Sequence, residues 1–352
     1  MLLESLGADT AIFGAFQTYA ARGLVLARVS FSHRDQYCLI TENEELAAEP
    51  SGAFCFHAAD AAAMPVVGDW VAARLVGPGQ ALVEAVLPRR TCFSRRAAGR
   101  REQEQALAAN IDVVFLVCGL DGDFNLRRLE RYLTLAAESR ATPVVVLNKA
   151  DLCDDLAGRI EETAAVARSA PVIAASAESA PGIEGLRGFL GQGRTVALLG
   201  SSGVGKSSLV NRLLGEERLR TGEVRSADSR GRHTTTHREL AALPGGGALI
   251  DTPGMRELQL WAGTESVEQT FDEIAAMAEG CRFRDCSHNG EPGCAVQQAL
   301  EAGTISPDRW QSYRKLLAEA HRHERLAEPL LAREEKRKIK VMFRAHRRIT
   351  RK

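Results

Sequence analysis

No apolar run in this 352-residue chain approaches the roughly 18 residues needed to cross a membrane. The stretch from Met1 to Thr10 also lacks a basic segment followed by an apolar one, so no secretory signal is expected. No Cys-x-x-Cys pair occurs, which argues against thiol redox chemistry. Of the eight cysteines, Cys38, Cys55, Cys92, Cys118 and Cys153 stand alone, whereas Cys281, Cys286 and Cys294 cluster beside a histidine. An intracellular protein with one metal site uses cysteine in this way, so a cytoplasmic location is expected. Net charge is absent too: 45 Lys and Arg balance 45 Asp and Glu, and overall charge favours neither a nucleic-acid partner nor its absence. The distribution says more, because residues 333–352 hold ten Lys or Arg against two Glu. Internal repeats are lacking.

What is present is a balance of 45% hydrophobic and 26% charged residues, enough to bury real cores, over a length that predicts two or three domains. Up to about residue 90 the chain reads as short strands at 23–29, 37–41, 69–76 and 81–87, punctuated by Gly, Pro and polar residues. Such spacing predicts a small barrel, of which an OB-fold is one candidate. A basic stretch follows, with Arg89-Arg90, Arg95-Arg96 and Arg100-Arg101, to be read either as a solvated linker or as a phosphate-contacting surface. From residue 106 the pattern changes. Apolar strands at 111–117, 142–147, 171–175 and 195–199 alternate with helical segments, one of them at 126–139. That alternation specifies a doubly wound α/β sheet. Beyond residue 267 the pattern is helical, interrupted by the Cys/His cluster.

Five motifs carry chemistry. Gly200, Ser201, Ser202, Gly203, Val204, Gly205, Lys206 and Ser207 fit GxxxxGK(S/T), with Ser208 continuing into a helix. Glycines let backbone N–H groups converge on phosphate, the lysine reaches the β and γ phosphates, and the Ser207 hydroxyl holds Mg²⁺. Asp251-Thr-Pro-Gly254 ends an apolar strand 45 residues beyond Lys206; its carboxylate suits Mg²⁺ and the glycine N–H suits the γ-phosphate. Asn148-Lys149-Ala150-Asp151 follows another strand, and the Asp151 carboxylate can accept both N1–H and the exocyclic amine of guanine. Adenine offers no such donor pair, so ATP would leave that acceptor unmet. Ser176 and Ala177 supply a loop whose backbone N–H can meet the guanine oxygen. Between phosphate loop and Asp251 lies Gly231-Arg-His-Thr-Thr-Thr236, where Thr234 or Thr235 is the candidate Mg²⁺ ligand; spacing does not separate them.

The base-reading motifs thus precede the phosphate loop, the reverse of the Ras-type order, which points to a circularly permuted GTPase. The strand ending in Asp251 then becomes the exit toward Cys281, Cys286, His288 and Cys294. Three thiolates and one imidazole close a tetrahedral Zn²⁺ shell with no open position, so that site is structural. Ras-type proteins place a water-orienting glutamine after the DxxG glycine, but Met255 stands here. Slow intrinsic turnover follows. His233 is the candidate for the missing group, the alternative being that it only shapes its loop.

Together with Val67-Gly-Asp-Trp-Val71, Leu87-Pro-Arg-Arg90, Ala108-Ala-Asn-Ile-Asp112, Arg256-Glu257 and Glu291-Pro-Gly-Cys294, these motifs make the chain resemble the ribosome small-subunit-dependent, RsgA/YjeQ-type circularly permuted GTPases. The resemblance covers most of the chain. It implies an OB-fold barrel with basic linker at 1–100, a permuted GTPase domain at 101–262, and a mostly helical zinc domain with basic tail at 263–352. It further implies GTP hydrolysis stimulated by the 30S subunit during its late maturation, with 16S rRNA as the contact, and a monomer is the expected state. The rival reading from the residues is an RNA-binding scaffold in which nucleotide is only a structural ligand. A GTPase that modifies tRNA or another RNA is disfavoured, since no separate catalytic cysteine or cofactor motif is seen.

Overall fold

The structure, a computed structural model, describes residues 2–33, 35–58, 61–96, 104–176, 180–215, 238–251, 262–322 and 324–325. The chain divides into two compact units, Met1–Gln259 and Leu260–Lys352. Among the described residues, no helix is long and apolar enough to cross a membrane.

The first unit opens with two helices, α1 (Leu2–Ser5) and α2 (Thr10–Ala20), the latter capped by Asp9, whose carboxylate accepts from the Ile12 N–H. Five strands follow: β1 (Val25–His33), β2 (Gln36–Ile40), β3 (Glu45–Pro50), β4 (Trp70–Gly77) and β5 (Gln80–Val86), with the short helix α3 (Gly52–His57) after β3. They pair in the closed cycle β1-β2-β3-β5-β4-β1, every pair antiparallel except β3 with β5. That is the five-stranded Greek-key order of an OB-fold. Val29, Leu39, Leu46, Val71 and Val83 fill the barrel interior and are shielded from water. β3 was not among the strands expected, because Glu, Ala and Pro are poor strand formers. Barrel closure imposes it: Leu46 and Ala48 point inward while Glu45, Ala47 and Glu49 face out.

The stretch read as a basic linker instead begins and ends as a hairpin, β6 (Cys92–Arg96) with β7 (Glu104–Ala109), in antiparallel pairing. Phe93 and Leu107 bury it, and residues 97–103 lie outside the described residues.

Next come β8 (Val113–Gly119), α4 (Leu126–Ser139), β9 (Thr142–Asn148), α5 (Leu156–Ala167), β10 (Val172–Ala174), α6 (Ala180–Arg187), β11 (Thr195–Leu199), α7 (Lys206–Leu214), β12 (Arg238–Ala242) and β13 (Ala248–Asp251). Their order across the sheet is β10-β9-β8-β11-β13-β12, parallel but for the β12–β13 pair. One face packs Val113, Phe115 and Val117 of β8 against Ile183 and Leu186 of α6 and Leu209 and Leu213 of α7. Alternate residues Val114 and Leu116 are equally buried on the other side, as strand periodicity requires. The α4 boundaries expected from sequence coincide with those observed. Asn125 caps its first turn by accepting from the Arg128 N–H, and Arg140 ends it in the left-handed region.

The edge strand β12 also pairs with β1, with Phe31 opposite Glu239 and Ser32 opposite Arg238. Barrel and α/β sheet are therefore one continuous 11-stranded sheet.

The second unit contains α8 (Thr264–Thr270), α9 (Asp272–Ala278), α10 (Ala295–Glu301) and a further helical stretch over residues 307–322. Phe271, Val267 and Ile274 form its interior with Tyr313 and Leu316. The Arg309 guanidinium lies 4.1 Å from the Phe271 ring centroid and pairs with Glu273 at 2.8 Å.

Candidate functional site

The phosphate loop and the base-reading segment lie at the carboxyl ends of two parallel strands that flank a third. The phosphate loop follows β11, and Asn148 ends β9, with β8 between them. The chain order reverses between β8 and β11, and ligands of open α/β sheets bind in the crevice at such a switch point. Asn148 is buried; its Nδ2 donates to the Val204 carbonyl at 2.8 Å. Its Oδ1 is buried without a protein partner, an unmet polar atom at the base-reading end of the site. Lys149 adopts the left-handed region (φ 61°) and its Nζ donates to the Gly203 carbonyl at 2.8 Å. The base-reading segment is thus bonded directly to the phosphate loop. Gly205, with φ 93°, closes that contact: a Cβ there would lie 2.3 Å from the Asn148 amide nitrogen. No other residue fits.

Within the loop, the Lys206 ammonium donates to the Gly200 carbonyl at 2.7 Å and to that of Ser201. Ser207 and Ser208 sit in the first turn of α7, whose N-cap is Gly205. The helix begins at the loop and presents its positive end there. Ser202 and Gly203 form the outer turn of the loop. Asp151 is exposed in a short 3-10 turn, Ala150–Leu152, and Ser176, two residues after β10, is buried. The Ala150 N–H donates to the Ala175 carbonyl at 3.1 Å, which brings those two loops together. Asp251 ends β13 as expected, opposite Glu239. Ala177, His233, Thr234, Thr235, Gly254 and Met255 lie outside the described residues, as does the Asp251 side chain.

Two carboxylates not singled out from the sequence join the site. The loop 119–125 follows β8, so topology sets it beside the phosphate loop. Asp121 accepts from Lys149 Nζ, and Asp123 accepts from the Ser201 hydroxyl while pairing with Arg128 at 2.8 Å. The available signal was their position just after the first strand of the α/β sheet, at its ligand-binding end.

Three sequence signatures left without a role converge on one buried joint between barrel and α/β sheet. Asp69 is fully buried and takes a two-pronged pair from Arg89, Nε to Oδ1 and Nη2 to Oδ2, both at 2.8 Å. Arg89 also donates to the Ala62 and Met64 carbonyls, so it is neither a solvated linker residue nor a phosphate contact. Asn110 Nδ2 donates to the Gly68 carbonyl at 3.1 Å. At Gly68 (φ 89°) a Cβ would fall 2.1 Å from the Ala109 carbonyl oxygen. At the centre Arg28 of β1 is 1% exposed, its guanidinium 5.0 Å from the Trp70 ring centroid. It donates to the carbonyls of Leu6 and Asn110 and to Thr195 Oγ1 at 2.7 Å. Burial pushes its pKa down to about 10, so the guanidinium stays charged at neutral pH. Thr195 begins β11, so the barrel is bonded to the strand that carries the phosphate loop. The N-terminal segment completes the joint: the Ser5 carbonyl accepts from the N–H groups of Gly193 at 3.0 Å and Gly247 at 2.7 Å.

In the second unit Cys281, Cys286, His288 and Cys294 place one ligand atom each within 4.8 Å of one another. Cys281 Sγ lies 3.9 Å from Cys294 Sγ, and His288 Nδ1 lies 3.5 Å and 3.4 Å from those two sulfurs. A tetrahedral zinc shell requires edges of about 3.8 Å between sulfurs and about 3.6 Å from sulfur to nitrogen. The donor set fits a zinc ion. Glu291 braces the loop by accepting from the Ser287 hydroxyl and from the N–H groups of Ser287 (3.0 Å) and Asn289 (2.7 Å), and these bonds, the hydroxyl's foremost, hold its pKa down to about 2. The His288 ring meets Trp310 edge-on at 5.9 Å.

Sheet order, phosphate loop and an asparagine-lysine pair bonded to that loop define a P-loop GTPase with circularly permuted connectivity. The family model described as RsgA GTPase matches residues 86–261. A protein of Opitutus terrae named small ribosomal subunit biogenesis GTPase RsgA is 52% identical over 357 residues, covering 99% of this chain and 97% of its own. Among solved structures, YjeQ from Thermotoga maritima aligns with a TM-score of 0.64 and 27% identity, covering 84% of this chain and 98% of that one. YloQ, titled a circularly permuted GTPase, shares the fold at a TM-score of 0.60 and 23% identity, covering 85% of this chain and 95% of its own. The chain belongs to the RsgA GTPase family, and it is a GTP hydrolase.

Proposed function

We propose that this chain is a guanine-nucleotide switch that binds the small (30S) ribosomal subunit, acts late in its maturation and hydrolyses GTP to GDP and phosphate under stimulation by the subunit. The observation that carries the reading is the bonding of Asn148 and Lys149 to the phosphate-loop carbonyls of Val204 and Gly203, at the switch point of a sheet in permuted order. The name of its Opitutus terrae relative supports the small subunit as partner. In this reading Asp151 reads the guanine edge, with Ser176 and Ala177 at its oxygen. The loop from Gly200 to Ser208 cradles the phosphates, and Gly254 senses the γ-phosphate. Ser207, Asp251 and one of Thr234 and Thr235 hold Mg²⁺, which neutralises charge on the phosphates when bound. Cys281, Cys286, His288 and Cys294 hold one structural zinc.

The division at 1–100, 101–262 and 263–352 assigns barrel, nucleotide site and zinc site to three functional parts, although the β1–β12 pairing joins barrel and α/β sheet into one continuous sheet. The protein works in the cytoplasm as a monomer, with 16S rRNA facing the barrel and basic tail. Phosphate contacts of that kind weaken steeply with salt. With Met255 in place of a glutamine, basal turnover is slow and His233 or the subunit orients the attacking water.

The test is GTP turnover by the purified protein, alone and with purified 30S subunits, against ATP. A low basal rate raised strongly for GTP alone supports the switch. Tight subunit binding in every nucleotide state without stimulation would replace it with a nucleotide-stabilised scaffold.

A further inference from the structure

The loop 119–125 has no part in the motifs by which the nucleotide site was found, yet it touches both halves of that site. It leaves β8 at Gly119, where a Cβ would lie 2.6 Å from Asp121 Oδ1, so the chain folds tightly back on itself. The Leu120 N–H donates to the Asn148 carbonyl at 3.0 Å, which pins the start of the loop to the base-reading segment. Asp121 then meets the Lys149 ammonium, and that same ammonium reaches the Gly203 carbonyl at 2.8 Å. Two residues on, Asp123 accepts the Ser201 hydroxyl and is itself held by Arg128 at 2.8 Å. The Lys149–Asp121 pair is partly shielded, with side-chain exposures of 23% and 29%.

We propose that Asp121 is a positioning residue of the nucleotide site: by anchoring the Lys149 ammonium against the phosphate loop, it sets the affinity for guanine nucleotides. The inference rests on the reading that Asn148, Lys149 and Asp151 form the base pocket. A lysine side chain has four rotatable carbons and a strongly hydrated head, so one carbonyl alone leaves it many competing rotamers. The carboxylate supplies a second, charge-assisted partner that holds the ammonium in place at the phosphate loop. Lys149 also occupies the left-handed region, a backbone state that surrounding contacts must maintain. Asp121 does not touch the reacting phosphates. Its effect therefore falls on binding in ground and transition state alike.

The experiment is titration of the full chain with a fluorescent GDP analogue, together with steady-state GTP hydrolysis. Asp121→Ala is expected to raise the Kd about fivefold, the scale of a partly exposed ion pair. KM for GTP should rise in step while kcat is unchanged. Asp121→Asn keeps an acceptor oxygen at the same place and should recover most of the loss. The double variant with Lys149→Ala should bind no more weakly than Lys149→Ala alone, because the aspartate acts through the lysine. An unchanged Kd in a folded Asp121→Ala protein, or additive losses in the double variant, overturns the inference. Should Asp121→Ala not fold, Asp121→Ser runs the same cycle. Failure of the wild-type chain to bind GDP would sink the base-pocket reading and this inference with it, whereas wild-type binding with an indifferent variant sinks this inference alone.

Discussion

Replacing Arg28 with methionine sets two large effects against each other at the joint between barrel and nucleotide strand. The guanidinium serves four buried acceptors, the carbonyls of Leu6, Gly68 and Asn110 and the Thr195 hydroxyl; Gly68 keeps the Asn110 amide as a donor, so removing the guanidinium leaves three unmet. Each buried acceptor left unmet costs about 1–3 kcal/mol, so the three together cost about 6 kcal/mol. Methionine recovers part of this, because no charge is then buried. The depression of the arginine pKa to about 10 by burial corresponds to about 3 kcal/mol, at about 1.4 kcal/mol per tenfold change in proton affinity. The net expectation is a loss of about 3 kcal/mol. For a unit of this size that lowers Tm by about 6–10 °C, read by circular dichroism or differential scanning fluorimetry. Arg28→Lys should do no better, because a compact ammonium cannot span acceptors on three separate segments. A Tm within about 2 °C of wild type would refute the reasoning. Buried charges replaced by apolar groups are sometimes neutral or stabilising, and that outcome would place Arg28 among them.

Gly205→Ala should abolish measurable GTP binding while leaving the fold intact, since its Cβ would collide with the Asn148 amide; equilibrium dialysis with labelled GTP decides this. Asp151→Asn should weaken GTP binding by about tenfold or more and favour xanthosine nucleotides, whose C2 oxygen accepts from the new amide, as competition titrations would reveal. Cys286→Ser should bring bound zinc from one equivalent to none by atomic absorption. Chelation of the wild type should cost helical signal in the second unit, because Cys294 both belongs to the cluster and caps α10 by accepting from the Gln297 N–H. Retained zinc in that variant would remove Cys286 from the ligand set.

Elements whose code is local were legible in the sequence. α4 carries its own cap and amphipathic stripe, and β11 is a five-residue apolar run before a glycine loop; both were read with their observed ends. The phosphate loop and the Cys/His cluster are legible for the same reason. Their geometry is made by residues a few positions apart, so spacing alone carries the chemistry. The permuted order of the sheet also followed from motif order, because each strand keeps its place whichever strand begins the chain.

Tertiary structure alone decided the rest. β3 and β12 lack strand-forming sequence, and exist because a barrel and a sheet edge supply hydrogen-bond partners for them. Arg28 reads in sequence as an ordinary strand residue. Its partners Leu6, Asn110 and Thr195 lie 22, 82 and 167 positions away. Asp121 meets Lys149 across 28 positions because β8 and β9 lie side by side. A motif declares what a segment can bind, but pairing between distant segments depends on which strands the fold makes neighbours. That choice is settled by burial over the whole sheet and not by any short window of residues.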